Sequence, residues 1–120
     1  MQANHILLTT DFSAHARTAY QYAAELASKC DVTLHLVHFA GTLPSLLPAD
    51  SRDTLFDSLA IALTHEAKEH PAFAGIRVEP HLQRHRWTRV RQRELERNLG
   101  IDLIVMSPQG EPLKQRTVED

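Results

Sequence analysis

An α/β fold built on one parallel sheet is the architecture this sequence predicts, and three observations carry it. Two short runs, Ile6-Leu7-Leu8 and Ile101-Asp102-Leu103-Ile104-Val105-Met106, are apolar almost throughout, as strands covered on both faces must be. Strand-like stretches alternate with stretches of helical apolar spacing, and that alternation yields a parallel sheet through right-handed crossovers. Finally, the turn Thr9-Thr10-Asp11-Phe12-Ser13 puts a carboxylate at the carboxyl end of a strand, where parallel sheets bind ligands.

The first strand centres on Ile6 to Leu8, and Ser13 offers the N-cap of a helix over Ala14 to Cys30. Ala16, Ala19, Tyr20, Ala23, Leu26 and Ala27 share one face of that helix. Val32 to Phe39, rich in β-branched and aliphatic residues, reads as the second strand. A loop from Gly41 to Asp53 follows, with Asp50 and Ser51 as candidate caps. Leu55, Phe56, Leu59, Leu63 and Ala67 give the second helix its buried stripe, and Pro71 lies just past its end at Glu69 or His70. In Ile76 to Leu82 apolar and polar residues alternate, and Pro80 cannot donate to a ladder, so this third strand belongs at an edge. Trp87, Val90, Leu95 and Leu99 mark one side of a third helix that ends at Gly100.

Ile101 to Met106 is then the fourth strand. The two most apolar strands, first and fourth, belong together at the centre, which gives the order 3-2-1-4 with helices on both faces. Residues 1–110 form the domain and 111–120 a tail, so the sheet lacks a fifth strand and the fourth strand is left with an open edge. An open apolar edge predicts a homodimer, joined there or through a short strand around Gln115 to Val118.

With 120 residues, 42% of them hydrophobic and 23% charged, the chain suits one soluble globular domain. No apolar run approaches the roughly 20 residues a bilayer span requires, and Met1-Gln2-Ala3-Asn4 carries no export signal, so no membrane is involved and the cytoplasm is the expected compartment. Cys30 is the only cysteine, which excludes an internal disulfide and a CxxC pair; it is expected to be a small buried hydrophobe. Eight histidines raise the question of metal. His35 and His38 point to opposite faces of a strand, His81 and His85 straddle a strand end, and no pair has ligand spacing on a helix, so no metal is expected.

The formal charge of −2 conceals six arginines between Arg84 and Arg97, which carry +4 against −6 elsewhere. A basic helix with Trp87 in it suits phosphate backbones. The plainer reading is a solvated face whose arginine stems cover the sheet edge, and the overall acidity favours it, so nucleic acid is not the expected partner. Neither a Ser-His-Asp or Cys-His arrangement nor a carboxylate pair stands out, and catalysis is not expected.

Ile6-Leu7-Leu8-Thr9-Thr10-Asp11-Phe12-Ser13, Leu34-His35-Leu36-Val37-His38 and Ile101 to Met106, in that order within residues 5–110, resemble the universal stress protein family. The resemblance implies an adenine nucleotide alpha hydrolase-like fold with a fifth parallel strand, homodimers, and a division between members that bind ATP or AMP and members that do not. It further implies that Asp11 lies by the ribose and adenine, that the backbone of Phe39 contacts adenine, and that Ser107-Pro108-Gln109-Gly110 stands where the family has the Gly-x-x-Gly of a phosphate loop.

Plainer roles exist for two of these, Asp11 as an acceptor of backbone N–H groups at the helix start and Phe39 as a core side chain. Gly110 keeps the second glycine, but Ser107 replaces the first, Pro108 removes a donor, and no glycine-Ser/Thr segment follows. The expectation is a stress-response binding or regulatory module without tight ATP binding and without a cofactor. An ATP- or AMP-binding member using Asp11, Phe39 and Gly110 is the alternative, and a nucleic-acid-associated protein using the arginine helix stands behind it.

Overall fold

The computed structural model describes residues 4–41, 48–106 and 114–118, of which Cys30 and residues 114–116 are described in backbone only. The elements are β1 (His5–Thr9), α1 (Ala14–Cys30), β2 (Thr33–Phe39), α2 (Ala49–Glu69), β3 (Val78–Gln83), α3 (Arg89–Leu99), β4 (Leu103–Met106) and β5 (Lys114–Thr117). The strands form one sheet in the order β3-β2-β1-β4-β5, the first four parallel, so the expected 3-2-1-4 arrangement is present with Pro80 in an edge strand. Asp102 fixes the start of the sheet: its Oδ2 accepts the backbone N–H groups of Asn4 at 2.7 Å and His5 at 3.0 Å.

The expected lack of a fifth strand is corrected. Lys114–Thr117, assigned to the tail, pairs antiparallel with β4, from Leu103↔Thr117 to Met106↔Lys114. Only seven residues separate β4 from β5, too few for the crossover that a parallel strand needs, whereas an antiparallel strand requires only a reversal. The edge of β4 is therefore closed by its own chain, and the open edge that motivated a dimer across β4 does not exist.

Alternation along the strands sorts side chains onto two faces. Ile6, Leu8, Leu34 and Leu36 pack with Ala19, Tyr20 and Ala23 of α1, Leu63 and Ala67 of α2, and Phe73. Leu7, Val37 and Ile104 pack the other way, with Leu95 of α3 and with Ile101. Ser13 caps α1 as expected, its Oγ accepting the Ala16 N–H at 3.0 Å. Two helices depart from expectation. α2 begins at Ala49, before the candidate caps Asp50 and Ser51, because Pro48 fills the cap position without any side-chain bond to advertise it. Of its expected stripe only Leu63 and Ala67 are buried, since α2 lies largely over the edge strand β3, where a narrow contact suffices.

α3 begins after Trp87, and Val90 is 66% exposed. Its inward side is Gln92, Leu95, Glu96 and Leu99, which share one helical stripe. Gln92 bridges its neighbours, accepting from Trp87 Nε1 at 2.5 Å and donating to Glu96 Oε2 at 3.1 Å.

Candidate functional site

The turn after β1 is held from beneath. Buried Thr10 and Tyr20 meet at 2.7 Å between Oγ1 and the phenol, and Tyr20 donates to Glu66 Oε1 at 3.0 Å. Since that uses the phenol's one proton, Thr10 donates to Tyr20. Thr10 Oγ1 then accepts the Phe12 N–H at 3.0 Å, and Arg17 closes the chain on Glu66 through Nε at 2.6 Å and Nη2 at 3.2 Å. Burial pushes the Tyr20 phenol well up, so it keeps its proton. The turn itself is sharp, with Phe12 at φ 66° and its ring edge-on to His38, whose Nδ1 donates to the Thr10 carbonyl at 2.7 Å.

Asp11 is presented on this turn and is exposed. Its Oδ1 accepts the Ser13 N–H at 2.9 Å, and hydrogen bonds from Ser13 hold its carboxyl below the usual range. The carboxylate is thus ionised and at least half committed to its own backbone, which is the plainer of its two expected roles. Phe39 is half-buried against the cluster of Leu7, Val37 and Ile104. Gly110, with Ser107, Pro108 and Gln109, lies outside the described residues, as does the side chain of Cys30. Asp11, on the turn after β1, and Phe39, the last residue of β2, lie at the carboxyl ends of neighbouring parallel strands.

A different place among the strand ends concentrates charge. At the carboxyl ends of β2 and β3 a cleft of about 520 Å³ is lined by Gly41, Arg52, Phe56, Arg84, Arg86 and Arg91, among others. The Arg84 guanidinium lies 4.6 Å above the Phe56 ring and donates to Asp53 Oδ1 at 3.4 Å, so it is aimed rather than loose. Thr88 caps α3 beside the cleft, accepting the Arg91 N–H at 3.1 Å. The arginine run is thereby split. Arg84, Arg86 and Arg91 join Arg52 from α2, while Arg89, Arg93 and Arg97 face solvent. Arg52, thirty-two positions before Arg84, carried no signal in the sequence until α2 was placed over β3. Because β1 separates β2 from β4, the cleft is distinct from the switch point, the place between β1 and β4 beside Asp11 where the strand order reverses.

A third cluster lies on the sheet face that carries Leu7 and Val37. His5 Nδ1 and His35 Nε2 are 3.0 Å apart, and His35 Nδ1 and His81 Nε2 are 2.9 Å apart. Glu79 Oε2 lies 3.6 Å from His35 Nδ1 and 3.9 Å from His81 Nε2. Burial holds the His35 imidazole down, to about 4, and holds His81 below its ordinary value too, so both rings are neutral at neutral pH. His35 and His38 do point to opposite faces, as expected, but the partners of His35 come from neighbouring strands.

The sequence profile of the universal stress protein family matches residues 3–118, nearly the whole chain. This chain belongs to that family. Among solved structures it is similar to a universal stress protein from Burkholderia pseudomallei, with 25% identity, a TM-score of 0.67, and 87% of this chain against 80% of that one covered. Universal stress protein UspA from Lactobacillus plantarum shares 18% identity at a TM-score of 0.70, with 92% and 85% covered. A universal stress protein in complex with cAMP shares 18% at a TM-score of 0.52, with 87% and 71% covered. At 18% the likeness is one of fold. No curated protein matches the chain. Among the described residues, no helix of this universal stress protein is long and apolar enough to cross a membrane.

Proposed function

We propose that this universal stress protein is a cytoplasmic, non-catalytic binding module of the stress response, which takes a small phosphate-bearing ligand in the arginine cleft and does not hold ATP tightly at the switch point. The observation that supports this reading is the convergence of Arg52, Arg84, Arg86 and Arg91 on one cleft, with the Asp53 carboxylate bonded to Arg84. Guanidinium groups match phosphate oxygens in planar, paired geometry, and several of them bind a dianion without needing a glycine loop. Charge of this kind reads phosphate, not base. At the switch point Asp11 is a carboxylate already engaged by Ser13, able to accept sugar hydroxyls but repelled by phosphate.

Trp87, the only tryptophan, is 49% exposed and adjoins Arg86, so its fluorescence reports on the cleft. The expected response to pyrophosphate, AMP, cAMP and Mg-ATP is weak binding, with dissociation constants above about 100 micromolar, that loosens as salt rises and follows phosphate charge. It is expected to vanish in the double variant Arg84→Ala/Arg86→Ala and to survive Asp11→Ala. The neighbour solved with cAMP makes binding of an adenine nucleotide at Asp11 the second reading. A dissociation constant for Mg-ATP below about 10 micromolar, lost in Asp11→Ala, establishes that reading and overturns ours.

A homodimer belongs to the same proposal. With β4 covered by β5, its surface is the outer edge of β5 or a helix face, not the edge of β4. Sedimentation at tens of micromolar, a range chosen from the affinity scale of weak dimers, is expected to return twice 13.6 kDa, and a monomer alone rejects the dimer.

A further inference from the structure

Three histidines cross the sheet in a row, one from each of β1, β2 and β3, and neither the turn at Asp11 nor the arginine cleft uses them. Their placement follows from the strand register. Leu7 pairs with His35, His35 with Glu79 and Val37 with His81, so all project from the face opposite α1 and α2. We propose that His35 Nδ1, His81 Nε2 and Glu79 Oε2 bind one divalent transition-metal ion, of which Zn²⁺ is the representative, with His5 as a positioning residue.

The three ligand atoms are separated by 2.9, 3.6 and 3.9 Å. A point equidistant from all three lies about 2.0 Å from each, which is the bond length of Zn²⁺ to imidazole nitrogen and carboxylate oxygen. Two imidazoles and one carboxylate are a borderline donor set that suits zinc, copper, nickel or cobalt, whereas Mg²⁺ and Ca²⁺ call for oxygen alone. The ligands sit on two hydrogen-bonded strands, so the sheet preorganises them. The Glu79 side chain is 55% exposed while that of His35 is 4% exposed, so the ion has a route from solvent and a fourth position for water.

His5 supplies what a ligating imidazole needs on its far side. With Nδ1 of His35 on the ion, its proton must stand on Nε2, and His5 Nδ1 is the acceptor 3.0 Å away. His5 is itself held, because its backbone N–H is bonded to Asp102. In the ion-free chain one proton lies between His35 Nδ1 and His81 Nε2. On loading, each ring keeps its one proton on the nitrogen turned away from the ion, Nε2 of His35 and Nδ1 of His81, by tautomer exchange through solvent, and none is lost, since both rings start neutral. Ligation therefore replaces one shared proton by the ion.

Isothermal titration of the untagged chain with ZnCl₂ at neutral pH tests this. The expected result is one site per chain with a dissociation constant below about 10 micromolar, and no binding of MgCl₂ under the same conditions. His81→Ala and Glu79→Gln, both at accessible positions, are each expected to weaken Zn²⁺ at least tenfold, while His65→Ala on exposed α2 leaves it unchanged. Imidazole ¹⁵N spectra of the wild-type chain keep the idea testable should a variant misfold. They are expected to assign the metal-bound nitrogens to His35 Nδ1 and His81 Nε2. His5→Phe is expected to lower affinity without changing stoichiometry, by roughly tenfold, as for the loss of other outer-shell partners. The proposal is overturned by an absence of saturable heat, by equal affinity in His81→Ala, or by shifts confined to other histidines.

Discussion

Two polar networks lie on opposite faces of one sheet, and they are built on opposite principles. Thr10, Tyr20, Glu66 and Arg17 alternate donor and acceptor so that every proton has a single place: Arg17 donates to Glu66, Tyr20 to Glu66, and Thr10 to Tyr20. His5, His35 and His81 are three copies of one group, each able to donate from either nitrogen, so the row can be protonated in either direction. The first network joins β1, α1 and α2 and fixes the turn that presents Asp11. The second stands between a buried ring and an exposed carboxylate, and its own pairing does not determine it. A fully matched network reads as structure. An undetermined one reads as a place where something else, a proton or an ion, completes the arrangement.

Cutting each network once should show the difference at its largest. Tyr20→Phe keeps the stacking on Phe73 but leaves the buried Thr10 hydroxyl without its acceptor, and removes one donor from the part-buried Glu66. A loss of about 1–3 kcal/mol is expected in urea denaturation at neutral pH. His81→Ala removes a half-buried ring whose site water can enter, and in metal-free buffer should cost less than about 1 kcal/mol. Equal losses would remove the distinction drawn between the two networks.

Strand order was legible because burial on both faces leaves a mark in the chain: the apolar runs at Ile6 and Ile101 announce central strands, and Pro80 announces an edge. The helices and β2 were legible too, but the pairing of β5 and the inward face of α3 were not, for separate physical reasons. A short strand around Gln115 to Val118 was expected against a second copy, but β5, Lys114-Gln115-Arg116-Thr117, has no apolar face to say that it covers β4 of its own chain, and it gains its place from backbone pairing there. α3 turns Gln92 and Glu96 inward because they bond one another and Trp87, so hydrophobic periodicity pointed to Val90 instead.

The candidate sites divide in the same way. Asp11 was visible because a strand end followed by a helix cap is a local pattern. The histidine row and Arg52 are products of register and helix placement, with partners 30 and 46 residues apart in one case and 32 in the other. One signal was present: with Ile6, Leu8, Leu34 and Leu36 assigned to one face, period two already puts His5 and His35 together on the other.

The smaller test separates the networks by pH. Burial raises the Glu66 carboxyl, but the hydrogen bonds from Arg17 and Tyr20 outweigh it, and its folded value lies below the ordinary 4.5. A depressed carboxyl contributes stability that is fully present above its unfolded value and is lost as pH falls through the folded one. Glu66→Gln keeps an acceptor for Tyr20 and discards the charge. The variant should therefore be less stable than wild type at pH 7, with the gap closing as pH drops below about 4.5. The gap is modest because Arg17 is 40% exposed and water screens the pair. The histidine row also responds to acid, in a higher window. His35 binds its proton near 6.5 when unfolded and near 4 when folded, so acidification between those values favours the unfolded chain. That loss is common to wild type and Glu66→Gln and cancels in their difference, so a gap already closing at pH 6 would mean that the two networks are coupled through the sheet.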